Sequence, residues 1–344
     1  MSLTNSQLDH PTFRWGVELT PDVPGDELAT LAGRAERAGF GAAFVSSHFN
    51  NRDPFVTLGQ LTRETDALAL GPGVLNPYDV HPARIASAMA TLDEAGDGRA
   101  ILGIGAGDRS TLEKLGLERN RPVGRVAETI RVARQLWNGD QVDHQGTFGL
   151  EAASLSYPAR SLPVYVGGQG PQMLRMAATV ADGVLANAAH PAEYEWIAEQ
   201  VSQGLENRPD HRGDVRLAAF ASVSIARSAE TAAAAARPPV AFIAAGTPDR
   251  VLDRHPVDRE QIHRVREALA GGDHGRAYEL VTPAMIDRFA IAGTVEEVAE
   301  RVTSLQAHVD AIVAASPLGP DRSEAIELLG ELVDAGDLGP GAER

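Results

Sequence analysis

The chain contains no cysteine. Disulfides, cysteine-ligated zinc, iron–sulfur clusters and a thiol nucleophile are thereby excluded together, and any redox chemistry would need a bound organic cofactor. No stretch reaches the roughly 18 uninterrupted apolar residues of a membrane helix. The polar start from Met1 to Thr12 lacks the apolar run of a secretory signal. Both absences predict a cytoplasmic protein. Lysine is reduced to Lys114, so nearly every cation is an arginine, and 47 acidic residues stand against 31 basic ones for a net charge of −16. Nucleic acid and anionic membrane both reward positive patches, so neither is an expected partner. Acid excess with lysine depletion suits a surface kept hydrated in concentrated salt and predicts a halophilic source. A GC-rich genome would explain the arginine bias but not the acid excess. The sequence also has no H-E-x-x-H or close histidine pair, no G-x-S-x-G elbow and no Walker loop, so no metal site is expected.

What is present is a regular alternation of short β-branched runs with amphipathic helical stretches, the pattern of strand and helix units around a parallel sheet. Eight strands are expected, near Arg14–Leu19, Gly41–Ser46, Leu68–Val74, Ala100–Ile104, Pro163–Val166, Asp182–Ala186, Val215–Ser224 and Val309–Ala315. Helices are expected between them, including Asp26–Ala38, Pro82–Ala95, Val123–Trp137, Pro171–Val180, Ala192–Leu205 and Thr294–His308. Eight units favour a closed TIM barrel over an open Rossmann sheet, and 344 residues with 43% hydrophobic content suffice for one such domain over 1–344. Extra material falls at 138–162, which is turn-rich, and at 237–292, a long helical excursion. The alanine run Ala232–Ala236 reads as helix.

Active sites of such barrels lie at the C-terminal ends of the strands. In the first strand, alternation sends Trp15, Val17 and Leu19 toward the helices and leaves Glu18 pointing into the barrel mouth. A carboxyl desolvated there has a raised pKa and can donate a proton near neutrality; equally, it can be a structural carboxylate paired with an arginine. The second strand ends in the polar run Ser46 to Arg52, where His48 reads as a contact before it reads as a catalyst. The third, Leu70-Gly71-Pro72-Gly73-Val74-Leu75-Asn76-Pro77, suggests a bulge able to press on a flat ring, or a tight turn. The fourth, Gly103-Ile104-Gly105-Ala106-Gly107-Asp108-Arg109, is a poor match to a dinucleotide fingerprint, and Asp108 fits a helix N-cap as well. The fifth, from Gly167 to Met173, passes through glycines into a helix with Pro171 in its first turn, an arrangement suited to one phosphate.

Taken in order, these blocks closely resemble the archaeal 5,10-methylenetetrahydromethanopterin reductases. The resemblance continues through Asp182-Gly183-Val184, Asn187, His190-Pro191, Val240 to Gly246 and Ser316 to Asp321, covering nearly the whole chain. It implies a barrel of the bacterial luciferase-like type that binds reduced coenzyme F420, with a non-prolyl cis peptide falling at Gly73 and Val74. It implies hydride transfer to a methylene bridging two pterin nitrogens, Glu18 as the acid that protonates the departing nitrogen, and homo-oligomers. Asp108 joins Glu18 as a catalytic candidate. Ser47, His48, Gly73, Val74, Asn76, Gly105, Ala106, Gly107 and Asn187 become cofactor-binding candidates, with Gly167, Gly168, Gln169, Gly170, Pro171, Gln172 and Met173 as the phosphate loop. Where the family usually carries Asp before the histidine of the second strand end, this chain has Ser47, which removes a charge from beside the expected cofactor. The one-carbon carrier is a methanopterin or a folate. The rival readings are an FMN-dependent monooxygenase, another F420-dependent dehydrogenase, and a barrel that binds a deazaflavin without catalysis.

Overall fold

The computed structural model describes residues 11–336; most of the polar start, 1–10, and the segment 337–344 lie outside the described residues. The first half of the chain forms β1 (Trp15–Leu19), α1 (Gly25–Arg37), β2 (Ala42–Val45), α2 (Pro54–Glu64), β3 (Ala69–Pro72), α3 (Pro82–Ala95), β4 (Leu102–Gly105), α4 (Arg109–Lys114) and α5 (Pro122–Trp137). A hairpin of β5 (Val142–Gln145) and β6 (Gly149–Ala153) follows, and then β7 (Val164–Gly168), α6 (Pro171–Val180), β8 (Gly183–Ala186), α7 (Tyr194–Leu205) and β9 (Arg216–Ile225). The last third carries α8 (Ala229–Gly246), α9 (Asp249–Leu252), α10 (Arg259–Ala270), α11 (His274–Glu279) and α12 (Pro283–Phe289). It ends with β10 (Ile291–Gly293), α13 (Val295–Gln306), β11 (Ala311–Leu318) and α14 (Arg322–Gly336).

Local chemistry sets the helix boundaries. Asp53 caps α2 by accepting from the N–H groups of Phe55 and Val56, ahead of Pro54 in the first turn, and α13 opens with a reciprocal Thr294–Glu297 capping box. In α1, Asp26 and Glu27 begin and Arg34 and Arg37 end a helix whose buried stripe includes Leu28, Leu31, Ala32 and Ala35.

The parallel strands run in the order β3-β2-β1-β11-β9-β8-β7-β4, and bridges from Leu70 to Ala100 and from Leu75 to Ile104 join β4 back to β3. The result is the expected closed barrel of eight strands. Its side chains divide by parity. Trp15, Val17 and Leu19 pack in the layer between sheet and helices, whereas Phe13, Phe44, Ile101, Tyr165 and Val313 fill the barrel interior.

Three features differ from the sequence reading. The short β10 pairs with β9 and stands outside the eight. The 138–162 segment contains an antiparallel hairpin. The later insertion begins at Ala229, because α8 runs through Pro238 and Pro239. Prolines normally end a helix, but here the buried Ala236, Val240, Ala241 and Ala244 pack with α10 to α12 in a separate apolar cluster and hold it.

The hairpin is tied down through charge. Glu128 of α5 accepts from the N–H of Thr147 at 2.7 Å and pairs with His144 Nε2 at 2.6 Å, while Arg160 clasps the buried Asp93 through two nitrogens. Burial opposes ionisation of Glu128, but the hydrogen bonds from His144, Thr147 and Phe148 outweigh it and hold its pKa at about 2. A carboxyl depressed in the folded state contributes stability that is present above its unfolded value and lost as pH falls toward the folded one. Glu128→Gln should therefore lower the thermal midpoint at about pH 6, with the gap to wild type narrowing below about pH 4 and closing only near the folded value of about 2. A gap independent of pH in stepped unfolding scans would contradict this assignment.

Candidate active site

Glu18 closes β1 with its side chain 5% exposed at the barrel mouth. Its Oε2 accepts from the Ser316 N–H at 2.9 Å, where β11 is irregular between Ala315 and Leu318. Its Oε1 accepts from the Thr20 hydroxyl at 3.1 Å. The buried Ser46 hydroxyl lies beside the carboxyl without a hydrogen bond to it. None of these neighbours is an arginine, so the ion-paired structural carboxylate considered from sequence is not what the fold builds. Burial pushes the Glu18 pKa up, against smaller opposing contributions from Ser316, Ser46, Thr20 and nearby His48. Burial thus favours the protonated form, the form a proton donor must have.

Phe44, the register partner of Glu18 on β2, meets Phe220 edge to face and leads to an apolar floor. The Gly73–Val74 peptide bond is cis, where the resemblance put it. The β3 ladder breaks there and resumes with Leu75, which bonds to Gly103 and Gly105 of β4. Half-buried Val74 and Phe220 pack against the interior cluster from above. Glycines make room for them. A Cβ on Gly103 would sit 2.0 Å from the Pro72 carbonyl oxygen, and one on Gly105 2.8 Å from Val74 Cγ2. The glycines of 103–107 therefore serve the close approach of β4 to the broken β3, and the dinucleotide fingerprint is set aside.

The remaining predicted residues divide. His48 is exposed and lies near both Glu18 and Asp108, with half-buried Ser47 behind it. Asp108 is the N-cap of α4: its Oδ1 accepts from Ser110 Oγ, Thr111 N and Thr111 Oγ1 at 2.6, 2.9 and 3.0 Å. Burial raises its pKa, but those hydrogen bonds prevail and the net shift is downward. A carboxyl stabilised as the anion is a poor proton donor, and in this structure Asp108 serves as the cap of α4. Asn76 is buried, with its amide engaged by Tyr78 N and Asp79 in its own turn. Ala106 is buried and its carbonyl accepts from Arg119, while Gly107 packs on Asn76 with a positive φ.

Across the mouth, β7 ends at Gly168, and Gly170 caps α6 without a side-chain bond ahead of Pro171. Gly167 to Pro171 are half-buried, Gln172 is exposed and Met173 is buried under Gly168. Gln169 Nε2 reaches the carbonyl of exposed Asn187 at 3.0 Å, tying the ends of β7 and β8 together. Sequence reading missed Phe220, Thr20, Arg119 and the Ser316 N–H. Phe220 was readable from the inward parity of β9, but the Ser316 contact spans 298 positions and left no local signal. Among the described residues, no group of three or more His, Asp or Glu is gathered as a metal site would require.

The family described as luciferase-like monooxygenase matches residues 11–310. The chain is 41% identical over 325 residues to the 5,10-methylenetetrahydromethanopterin reductase of Archaeoglobus fulgidus, covering 93% of this chain and 98% of the relative. The chain belongs to that reductase family. The reductase of the same description from Methanolobus tindarius is 38% identical, with 92% of this chain and 98% of the relative covered. The solved coenzyme F420-dependent tetrahydromethanopterin reductase of Methanopyrus kandleri superposes with a TM-score of 0.86 at 35% identity, over 94% of this chain and 99% of that one.

Proposed function

We propose that the chain, as one barrel domain, reduces the methylene group of 5,10-methylenetetrahydromethanopterin, or of methylenetetrahydrofolate, to the methyl form. The relatives' activity supports this, but the observation that carries it in this structure is a buried carboxyl, Glu18, whose register partner Phe44 packs edge to face on Phe220 of the Val74–Phe220 floor. A flat ring system fits there: the floor is apolar, the wall at Gly105 and Gly167 has no side chains, and the amides opening α6 suit a phosphate. Reduced coenzyme F420, bound in that cradle, would supply the hydride.

The protein's own task is then a proton and a place. Adding hydride to the bridging carbon breaks one carbon–nitrogen bond, and the departing nitrogen takes the Glu18 proton. The Ser316 N–H and Thr20 hydroxyl already point at the carboxyl oxygens and stabilise the carboxylate that remains. Val74 and Phe220 keep water from the face where the hydride moves. His48 and Ser47 line the rim as cofactor or carrier contacts.

No helix among the described residues is long and apolar enough to cross a membrane. The reading includes a cytoplasmic homo-oligomer working in concentrated salt. Fluorescence titration of the purified protein in concentrated KCl with F420 and with FMN tests the cofactor. Saturable F420 binding, with FMN weaker, is expected; tight FMN binding with oxygen consumption would replace the reductase by a monooxygenase.

A further inference from the structure

Beyond the β7 and β8 ends lies a cavity of about 460 Å³, counting the space open to solvent. Gly168 and Asn187 border it on the barrel side, and Ile197, Ile243 and Phe289 form its apolar wall. Its polar wall is Glu193, Arg254, His255 and Arg288.

Glu193 and Arg288, 5% and 7% exposed, form an ion pair through Glu193 Oε1 and Arg288 Nη2. Arg288 Nε donates to His255 Nδ1. Burial, with Arg288 and Arg254 close by, depresses the His255 pKa to about 4, so the ring is neutral with its proton on Nε2. These contacts join the turn Pro191–Glu193 to α12 and tie the insertion to the barrel.

Arg254 is not explained by that tie. Its guanidinium lies 3.6 Å from the centroid of the Trp196 ring, and its Nε is 3.5 Å from Glu193 Oε2. Among the described residues its side chain makes no hydrogen bond, although Nε is shut off from solvent. Two guanidiniums, one carboxylate and a neutral imidazole leave one positive charge in surplus within the wall. The Arg254 side chain is about a quarter exposed, so its guanidinium is open to a ligand while its Nε lacks a hydrogen-bond partner, and an unmet donor shut off from water carries a cost.

We propose that this cavity is a subsite for one carboxylate or phosphate group, carried on the flexible tail of a ligand whose reacting end lies over Val74 and Phe220. Arg254, Arg288 Nη1 and His255 Nε2 are its donors, and Ile197, Ile243 and Phe289 pack the stem of the tail. The subsite rests on the reductase reading for the ligand's identity, because the deazaflavin and both one-carbon carriers have acidic tails. It does not rest on that reading for its chemistry.

The test has two arms, each on the full chain as wild type, Arg254→Gln and Arg254→Lys. In the first, inorganic phosphate is titrated against chloride at constant ionic strength and followed by tryptophan fluorescence, with Trp196 stacked under Arg254 as reporter. A saturable change is expected in wild type, at least tenfold weaker in Arg254→Gln and largely kept in Arg254→Lys. In the second, the F420 dissociation constant and the KM for each carrier are measured. Arg254→Gln should raise the constant of the ligand that carries the group at least tenfold, with kcat changed less than threefold, and the affected ligand names the tail. No saturable phosphate response in wild type, or the same response in all three proteins, overturns the subsite, as does a change below twofold in every ligand constant. If wild type turns over neither carrier, the reductase reading fails and the phosphate arm alone decides the subsite.

Discussion

Glu18→Gln should reduce turnover on the order of a hundredfold to ten-thousandfold, the range that a positioned general acid contributes, while F420 affinity changes less than twofold. The amide keeps the shape and can still accept from Ser316 N–H, but it has no proton to give. The pH dependence carries a second signature. Because burial raises the Glu18 pKa, the folded state holds its proton at pH values where the unfolded chain has released it. Ionisation therefore costs the wild type stability as pH rises from the ordinary carboxylate range through the raised folded value. Glu18→Gln removes that loss, so the variant should gain stability relative to wild type as pH rises above the ordinary carboxylate range, with the gain levelling off once the raised folded value is passed. In wild type kcat/KM should fall on the alkaline side as Glu18 ionises, and the residual activity of the variant should lack that limb. A variant with lower stability and parallel loss of cofactor would mark Glu18 as a structural carboxylate.

Gly105→Ala should weaken F420 binding at least tenfold. The added Cβ would stand 2.8 Å from Val74 Cγ2 and 3.3 Å from the Gly167 carbonyl oxygen, so the side chain that forms the floor must move. Overpacking of this kind costs about 1–3 kcal/mol, and much of it falls on the ring site because Val74 is the movable neighbour. Val74→Ala in the same chain removes the collision and should recover most of the binding. Equal F420 dissociation constants for wild type and Gly105→Ala, measured by deazaflavin fluorescence, would show that the floor does not touch the cofactor.

The same geometry explains what the sequence could and could not reveal. Strand parity placed Glu18 in the mouth because a strand buried on both sides still alternates, and the helices announced themselves through caps such as Asp53 and Thr294. The Gly103 to Gly107 run invited a nucleotide reading because glycines that clear space for a ligand and glycines that clear space for Val74 are identical in sequence. Asp108 could be read from sequence both as a site candidate and as an N-cap, and its hydrogen bonds to Ser110 and Thr111 form the cap. The wall of Arg254, His255 and Arg288 was illegible. Its members come from an insertion whose path through Pro238 and Pro239 contradicts local helix rules, and only tertiary packing sets them beside Glu193.

The central claim is tested most directly by following deazaflavin oxidation by absorbance in concentrated KCl, with methylenetetrahydromethanopterin and methylenetetrahydrofolate offered separately to the purified protein. The structure predicts turnover with one of them, lost in Glu18→Gln. No oxidation of bound, reduced F420 with either carrier would contradict it, and Ser47 would be the first residue to exchange for aspartate.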